Sequence, residues 1–125
     1  MSNGAGSNLI RSYRDLIVWQ KSVEMVVAVY KATKKFPSSE QFGITSQIQR
    51  SAVSVPANIA EGYGRNTRKE YAYFLRIAHG SLSELETLLT ISQKLSYCTA
   101  QEYSTLEKRT SEVARMLYAL RKSIS

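Results

Sequence analysis

The segment SVPANIAEGYGR, residues 54–65, places a proline inside a pattern that is otherwise helical. Its apolar residues recur at spacings of three and four, as they do on the buried stripe of an amphipathic helix. Pro56 removes one backbone hydrogen bond and its ring crowds the preceding turn, which predicts a kink at this point. Asn58 and Glu61 project from one side, so the segment predicts a kinked helix that carries a polar face.

Working outward from this segment, helix breakers divide the chain into four helical patterns. The breakers are FPSS (36–39), GYGRNT (62–67) and SYCT (96–99). Residues of the N-cap type stand before the four patterns, namely Ser12, Ser39, Thr67 and Thr99. Because short connections make consecutive helices antiparallel neighbours, the sequence predicts an all-α, antiparallel up-down-up-down four-helix bundle over residues 12–125, with its second helix kinked at Pro56. Residues 1–11 are predicted to be a disordered N-terminal segment.

Three of the four patterns carry one clear apolar stripe at spacings of three and four. In the second helix the stripe is Ile44, Ile48, Ala52, Val55 and Ile59. In the third it is Tyr71, Phe74, Ala78, Leu82, Leu85 and Leu89. In the fourth it is Tyr103, Leu106, Thr110, Val113, Leu117, Leu120 and Ile124. Seams of this kind are typical of helices that pack nearly parallel, and they predict the core.

The first helix is apolar on two sides. One stripe, which we assign to the core, comprises Leu16, Trp19, Val23, Val26 and Tyr30. The other comprises Val18, Met25 and Val29, with the small residues Ser22 and Ala32 among them. A bundle helix usually needs only one core-facing stripe. The second stripe is therefore either a wide core contact or a subunit interface, and the sequence leaves both open.

A polar wedge lies beside the core stripe of the second helix, and it includes Arg50, Ser54, Asn58 and Glu61. In the third helix, Glu84 stands among apolar neighbours close to Gly80, whose cost within a helix suggests a close backbone approach. A buried carboxylate needs a charged partner, and Arg50 is the candidate. These five polar residues predict a structural polar network that fixes helix register; a catalytic or ligand-binding pocket is the alternative.

Composition limits the classes of function. The 125 residues carry 17 Lys and Arg against 10 Asp and Glu, a formal net charge of +7, which favours polyanionic partners. One histidine, His79, and one cysteine, Cys98, leave no catalytic triad and no zinc or di-iron ligand set. The sequence therefore predicts no enzyme, no metal and no cofactor. A single cysteine and the absence of a long apolar run predict a cytoplasmic protein without a membrane segment.

The basic residues concentrate at one end of the predicted bundle, where the N-terminus, the second connection and the C-terminus meet. We predict nucleic-acid contacts, mainly to phosphates, from Arg11, Arg14, Arg65, Arg68, Lys69, Arg121 and Lys122. Simple solvation of helix ends is the competing interpretation, since cations near helix C-termini are also favoured by the helix dipole.

Three motifs in order resemble a known family. They are YRDLIVWQKS (13–22), SQIQRSAVSVPANIAEGYGR (46–65) and YFLRIAHGSLSELETLL (73–89). Together they resemble the bacterial four-helix-bundle proteins encoded in intervening sequences of large-subunit ribosomal RNA genes, to which the accessory variability protein of diversity-generating retroelements is similar. Gln49 and His79 depart from the family pattern, in which basic residues are common at these positions.

The resemblance implies a homo-oligomeric ring, typically a pentamer, with a basic surface suited to nucleic acid. If the ring forms, Val18, Met25 and Val29 are its predicted oligomer interface. The resulting expectation is a non-catalytic nucleic-acid-binding oligomer, with RNA favoured over DNA. The alternative is a protein-interaction scaffold that docks a partner such as a reverse transcriptase and touches nucleic acid only incidentally. Neither the nucleic acid nor the partner protein can be named from the sequence.

Overall fold

The structure is a computed structural model that describes residues 9–125. These residues form four α-helices: α1 (Ile17–Thr33), α2 (Ile44–Tyr63), α3 (Arg68–Lys94) and α4 (Ala100–Ile124). Two short 3-10 turns, Tyr13–Asp15 and Ser38–Glu40, precede α1 and α2. No strand occurs within the described residues. The predicted all-α class with four helices is confirmed.

The helix starts follow the predicted caps in the second half of the chain only. Thr67 caps α3, and Thr99 caps α4 in a reciprocal capping box with Glu102. The predictions for the other two helices are wrong. Ser12 caps the first 3-10 turn, so α1 begins only at Ile17. Ser39 lies inside the second 3-10 turn, and α2 begins after Gly43.

Each helix packs against the next along the chain, and α1 also packs against α4. Contacts between α2 and α3 run in opposite order along the two helices, from Ser54 with Ser81 to Gly62 with Phe74. Antiparallel neighbours make contacts in this order. The full up-down-up-down order stays a prediction. The kink at Pro56 also stays a prediction, because the structure shows only that α2 remains helical through this buried proline.

The core follows the predicted stripes of α2, α3 and α4 closely. The fully or almost fully buried apolar residues of these helices include Ile48, Val55, Ile59, Ala78, Leu82, Leu85, Leu106, Val113 and Leu117. Thr110 is buried among them, with its hydroxyl donating to the Glu107 carbonyl. Burial of these side chains is the main favourable term that holds the helices together.

Both stripes of α1 contact the core, which corresponds to the wide core contact that the sequence left open, and the predicted oligomer interface is wrong. Val18, Met25 and Val29 are buried within the single chain, with Met25 and Val29 wholly covered. They offer no surface to a second subunit. The stripe assigned to the core is only partly buried, and Tyr30 at its end is exposed.

No helix within residues 9–125 is long and apolar enough to cross a membrane. Most of the predicted N-terminal segment, residues 1–8, lies outside the described residues. Leu9, Ile10 and Arg11 are exposed and precede the first 3-10 turn. The boundary between residues 11 and 12 stays a prediction.

Candidate nucleic-acid interface

The start of α3 places three side chains on one exposed face. Thr67 fixes this start, because its hydroxyl oxygen accepts a hydrogen bond from the backbone N–H of Glu70 at 3.1 Å. Lys69, Tyr73 and Arg76 then follow at spacings of four and three, which places them on one side of a helix. All three are exposed, and Tyr73 keeps 50% of its surface.

A first hollow of about 450 Å³ lies beside this face, lined by Arg65, Lys69, Glu70, Tyr73, Phe74 and Arg76. The guanidinium carbon of Arg65 lies 4.7 Å from the ring centroid of Phe74. That of Arg76 lies 5.6 Å from the ring centroid of Tyr73. Arg65 also donates a hydrogen bond from Nη2 to Oε2 of Glu61 at 2.7 Å. Two of the three basic groups of this hollow, Arg65 and Arg76, therefore lie against aromatic rings.

A second hollow of about 310 Å³ lies between α3 and α4, lined by Ala72, Arg76, Tyr118, Arg121, Lys122 and Ser125. Nζ of Lys122 lies 5.8 Å from the ring centroid of Tyr118, which is 62% exposed. Arg76 lines both hollows and joins them into one surface. We call its basic and tyrosine residues the basic–aromatic surface: Arg65, Lys69, Tyr73, Arg76, Tyr118, Arg121 and Lys122.

Five of these seven residues are basic, and Glu70 is the one acidic side chain that lines the two hollows. Arg65 is paired with Glu61. Within residues 9–125, no ion pair engages the other four cations, Lys69, Arg76, Arg121 and Lys122. A concave surface with unneutralised cations attracts polyanions, and exposed rings among the cations can stack on planar groups.

The structure gathers four of the seven predicted contact residues, Arg65, Lys69, Arg121 and Lys122, on this surface. Arg68 is exposed nearby but lines neither hollow. The other two lie before α1 with local partners. The backbone N–H of Arg11 donates to Asp15 at 2.9 Å, and this bond lowers the pKa of the Asp15 carboxyl. The Arg14 guanidinium lies 5.7 Å from the Trp19 ring.

Three residues of the basic–aromatic surface were missed in the sequence, namely Tyr73, Arg76 and Tyr118. A signal was present for each. Tyr73 and Arg76 continue the face of α3 that begins at Lys69, and Tyr118 precedes Lys122 by one helical turn. The predicted contacts lie at helix ends and connections, where the basic residues are adjacent in sequence. The helix faces carry the aromatic part of the surface.

The predicted polar network exists in a smaller form. The hydroxyl groups of Ser54 and Ser81 are hydrogen-bonded across α2 and α3 at 2.8 Å. Nδ2 of Asn58 donates to the carbonyl oxygen of Ser54 at 2.8 Å and to its hydroxyl oxygen at 2.9 Å. All three side chains are partly buried, and the Ser54–Ser81 bond connects α2 to α3 while the Asn58 bonds hold Ser54 within α2.

The charged members of the predicted network are not part of it. Arg50, Glu61 and Glu84 are exposed, and within residues 9–125 no ion pair joins Arg50 to Glu84. The expected burial of Glu84 is therefore wrong. The physical reason is that Glu84 follows exposed Gly80 by one helical turn on the solvent side of α3, while Arg50 and Glu61 remain hydrated at the outer edge of the α2 wedge.

The close helix approach occurs at Gly62 rather than at Gly80. A Cβ atom on Gly62 would lie 2.9 Å from Cβ of Phe74 and 3.0 Å from Cδ1 of Tyr71. A Cβ atom on exposed Gly80 would meet nothing within 4 Å. Gly62, within the segment 54–65, thus brings α2 against α3 directly beside the basic–aromatic surface.

The side chains with catalytic chemistry are dispersed. Within residues 9–125 no group of three or more His, Cys, Asp or Glu side chains is placed to hold a metal ion. Burial raises the pKa of the Cys98 thiol, which disfavours the nucleophilic thiolate. His79 is exposed on α3.

Comparisons with known proteins agree with this fold. A family model described as 23S rRNA-intervening sequence protein matches residues 14–119. A solved structure from Bacteroides thetaiotaomicron, a protein with unknown function from the S23 ribosomal protein family, is similar with a TM-score of 0.79 and 27% sequence identity. The similarity covers 85% of this chain and 96% of that one. Neither description names a catalytic activity. No curated protein matches the chain.

Proposed function

This chain belongs to the family of 23S rRNA-intervening sequence proteins, and on that premise we propose that it is a non-catalytic, homo-oligomeric nucleic-acid-binding protein. The observation that carries the proposal is the basic–aromatic surface, on which five cations and two exposed tyrosines surround two adjoining hollows. The phosphates of the nucleic acid contact the cations. We favour RNA over DNA because the family's description refers to 23S rRNA.

The positions of two cations favour binding over simple solvation of helix ends. Arg121 and Lys122 lie in the last turn of α4, where the helix dipole favours positive charge. Lys69 lies in the first turn of α3, where the dipole disfavours it, and Arg76 lies in the helix interior. Helix stability therefore gives no reason for positive charge at Lys69 and Arg76, whereas phosphate binding does.

The test is RNA binding by fluorescence anisotropy between about 50 and 200 mM salt. Charge reversal by Lys69→Glu, Arg76→Glu and Lys122→Glu together should lower the affinity at least about tenfold, because a phosphate that no cation neutralises keeps its condensed counterions. The slope of log affinity against log salt should become shallower by about 0.7 to 0.9 for each phosphate that is no longer neutralised.

The matched control reverses three exposed lysines away from the surface, Lys34, Lys94 and Lys108. It changes the net charge by the same amount, so an equal loss of affinity would assign binding to net charge alone. No binding by the unaltered protein, even at the lowest salt, would remove the proposed function and favour the protein-interaction scaffold.

The proposed homo-oligomer, a pentamer by family resemblance, needs a surface other than the buried stripe of α1. Exposed apolar side chains of α1 and α2 are available for it: Ile17, Val27, Tyr30 and Val53. We expect Val27→Glu and Val53→Glu together to yield a folded monomer, measured by light scattering after size-exclusion chromatography. An oligomer that survives both changes would place the interface elsewhere.

A further inference from the structure

Both tyrosines of the basic–aromatic surface are exposed to solvent. Tyr73 and Tyr118 keep 50% and 62% of their surface, although both lie on long, well-packed helices. Each ring has its own cation, Arg76 for Tyr73 and Lys122 for Tyr118. The same pair, an open ring with a cation beside it, thus occurs once on α3 and once on α4. Phosphate attraction alone gives no role to either ring.

We infer that this surface binds single-stranded RNA and that unpaired bases stack on Tyr73 and Tyr118. The inference rests on the proposed function and names its ligand more closely. Arg76 lines both hollows and lies against the Tyr73 ring, so it is placed to contact the phosphates of the segment that links the two stacked bases.

The energies favour exchange of a cation for a base. A cation–π contact at an exposed site contributes about 0.5–1 kcal/mol, and a base stacked on an aromatic side chain contributes about 1–3 kcal/mol. A base can therefore replace Arg76 on the Tyr73 ring, and Lys122 on the Tyr118 ring. The displaced cation then lies beside the backbone of the same strand, where it contacts a phosphate.

A duplex would not stack its bases on Tyr73 and Tyr118. Its bases stack on one another, and proteins recognise double-stranded RNA mainly through its shape and its backbone. Proteins that bind single strands combine a positively charged groove with aromatic side chains on which the bases stack. The alternation of rings and cations on this surface has that composition.

The experiment compares binding of two RNAs, an unstructured single strand of about 16 nucleotides and a blunt duplex of the same sequence. Tyr73→Ala with Tyr118→Ala should weaken single-strand binding about 30-fold or more and change duplex binding less than about twofold. The salt slope of single-strand binding should stay unchanged, because the phosphate contacts remain. Tyr73→Phe with Tyr118→Phe should keep the original affinity, because the rings remain.

Phe42→Ala is the matched control, since Phe42 is an exposed aromatic residue just before α2, outside the surface and outside the proposed oligomer contacts. Unchanged single-strand binding by the double alanine variant, or an equal loss with both RNAs, overturns the inference and leaves the proposed function intact. If the unaltered protein binds neither RNA, the result contradicts both the inference and the proposed function. Helical content by circular dichroism is checked for each variant, and Tyr118→Ala alone carries the test if the double variant unfolds.

Discussion

The two ends of the bundle use the same residue types differently. At the end where α1 stops and α4 starts, which we call the closed end, Phe36 is buried and packs on Tyr97 with ring centroids 5.6 Å apart. The Tyr97 hydroxyl donates to a Glu40 oxygen at 2.8 Å, and Lys35 pairs with Glu102. At the basic–aromatic surface the tyrosines are exposed, and four cations form no ion pair within residues 9–125.

The difference indicates which aromatic and charged groups already have partners within residues 9–125. At the closed end Lys35 and the Tyr97 hydroxyl have such partners, and the hydrogen bond to the Glu40 carboxylate raises the pKa of Tyr97. Groups satisfied in this way stabilise the fold and offer little to a ligand. At the basic–aromatic surface the polar groups keep their capacity for external partners. Substitutions should therefore affect stability at one end and binding at the other.

The largest expected effect is on stability at the closed end. Phe36→Ala should lower the free energy of unfolding by about 3 kcal/mol, because it removes a buried ring and leaves a cavity beside Tyr97. Tyr118→Ala, at the basic–aromatic surface, should change it by less than about 0.5 kcal/mol. Urea denaturation measures both.

The effects of Phe36→Ala and Tyr118→Ala on RNA binding should have the opposite order, measured under conditions where both variants are folded. Phe36→Ala should keep its affinity for single-stranded RNA, whereas Tyr118→Ala should weaken it about fivefold or more. A Phe36→Ala protein that is folded but no longer binds RNA would break the comparison between the two ends.

The next effect concerns the two glycines of the α2–α3 pair. Gly62→Ala should destabilise by about 1–3 kcal/mol, because the added Cβ lies too close to Phe74 and the side chain cannot retreat without moving α3. Gly80→Ala should stabilise by up to about 1 kcal/mol, because the site is open and alanine is the better helix former. Thermal unfolding of the two variants measures both changes in stability, which should have opposite signs. A gain at Gly62 would mean that the helices can separate there at little cost.

Single apolar stripes made most of the fold predictable. Leu82, Leu106 and Leu117 lie on helices with one such stripe, and all three are buried. The sequence left the first helix open because it has two apolar stripes, and the more deeply buried side also holds the polar residues Ser22 and Thr33. Ser22 donates its hydroxyl hydrogen bond to the Trp19 carbonyl, and Thr33 donates to that of Val29. A hydroxyl that is satisfied by its own helix can be buried, so polarity did not mark the exposed side.

The candidate site was predicted only where its residues are neighbours in sequence or near helix ends. Lys69 and Lys122 were found in this way. Tyr118 was not, because its place beside Arg76 depends on the register between α3 and α4. Register is set by the packing of the whole seam, and one sequence does not reveal it. The prediction that the charged residues of the polar wedge join the network was wrong for a related reason. A helix wheel shows to which side a side chain points, but it does not show how deeply that side chain is buried.

The smallest expected effect is the response of the closed end to acid. The hydrogen bond from Lys35 is the main cause that lowers the pKa of Glu102 in the folded protein, with the backbone N–H of Thr99 second. The stabilisation is present above the pKa of the unfolded chain, about 4.3, and is lost as the pH falls through the lower folded value. Glu102→Gln should therefore lower the unfolding midpoint slightly at neutral pH and match the unaltered protein in acid.

Glutamine is the informative substitution because it can still cap the start of α4 through Thr99 while it removes the charge. Lys35→Gln should reduce the same acid dependence, and the double variant should add little to either single change. A midpoint difference that persists unchanged in acid would assign the effect of Glu102 to capping alone. The closed end would then be held by its aromatic packing and by Glu40, and Lys35 would be as available to a ligand as the cations of the basic–aromatic surface.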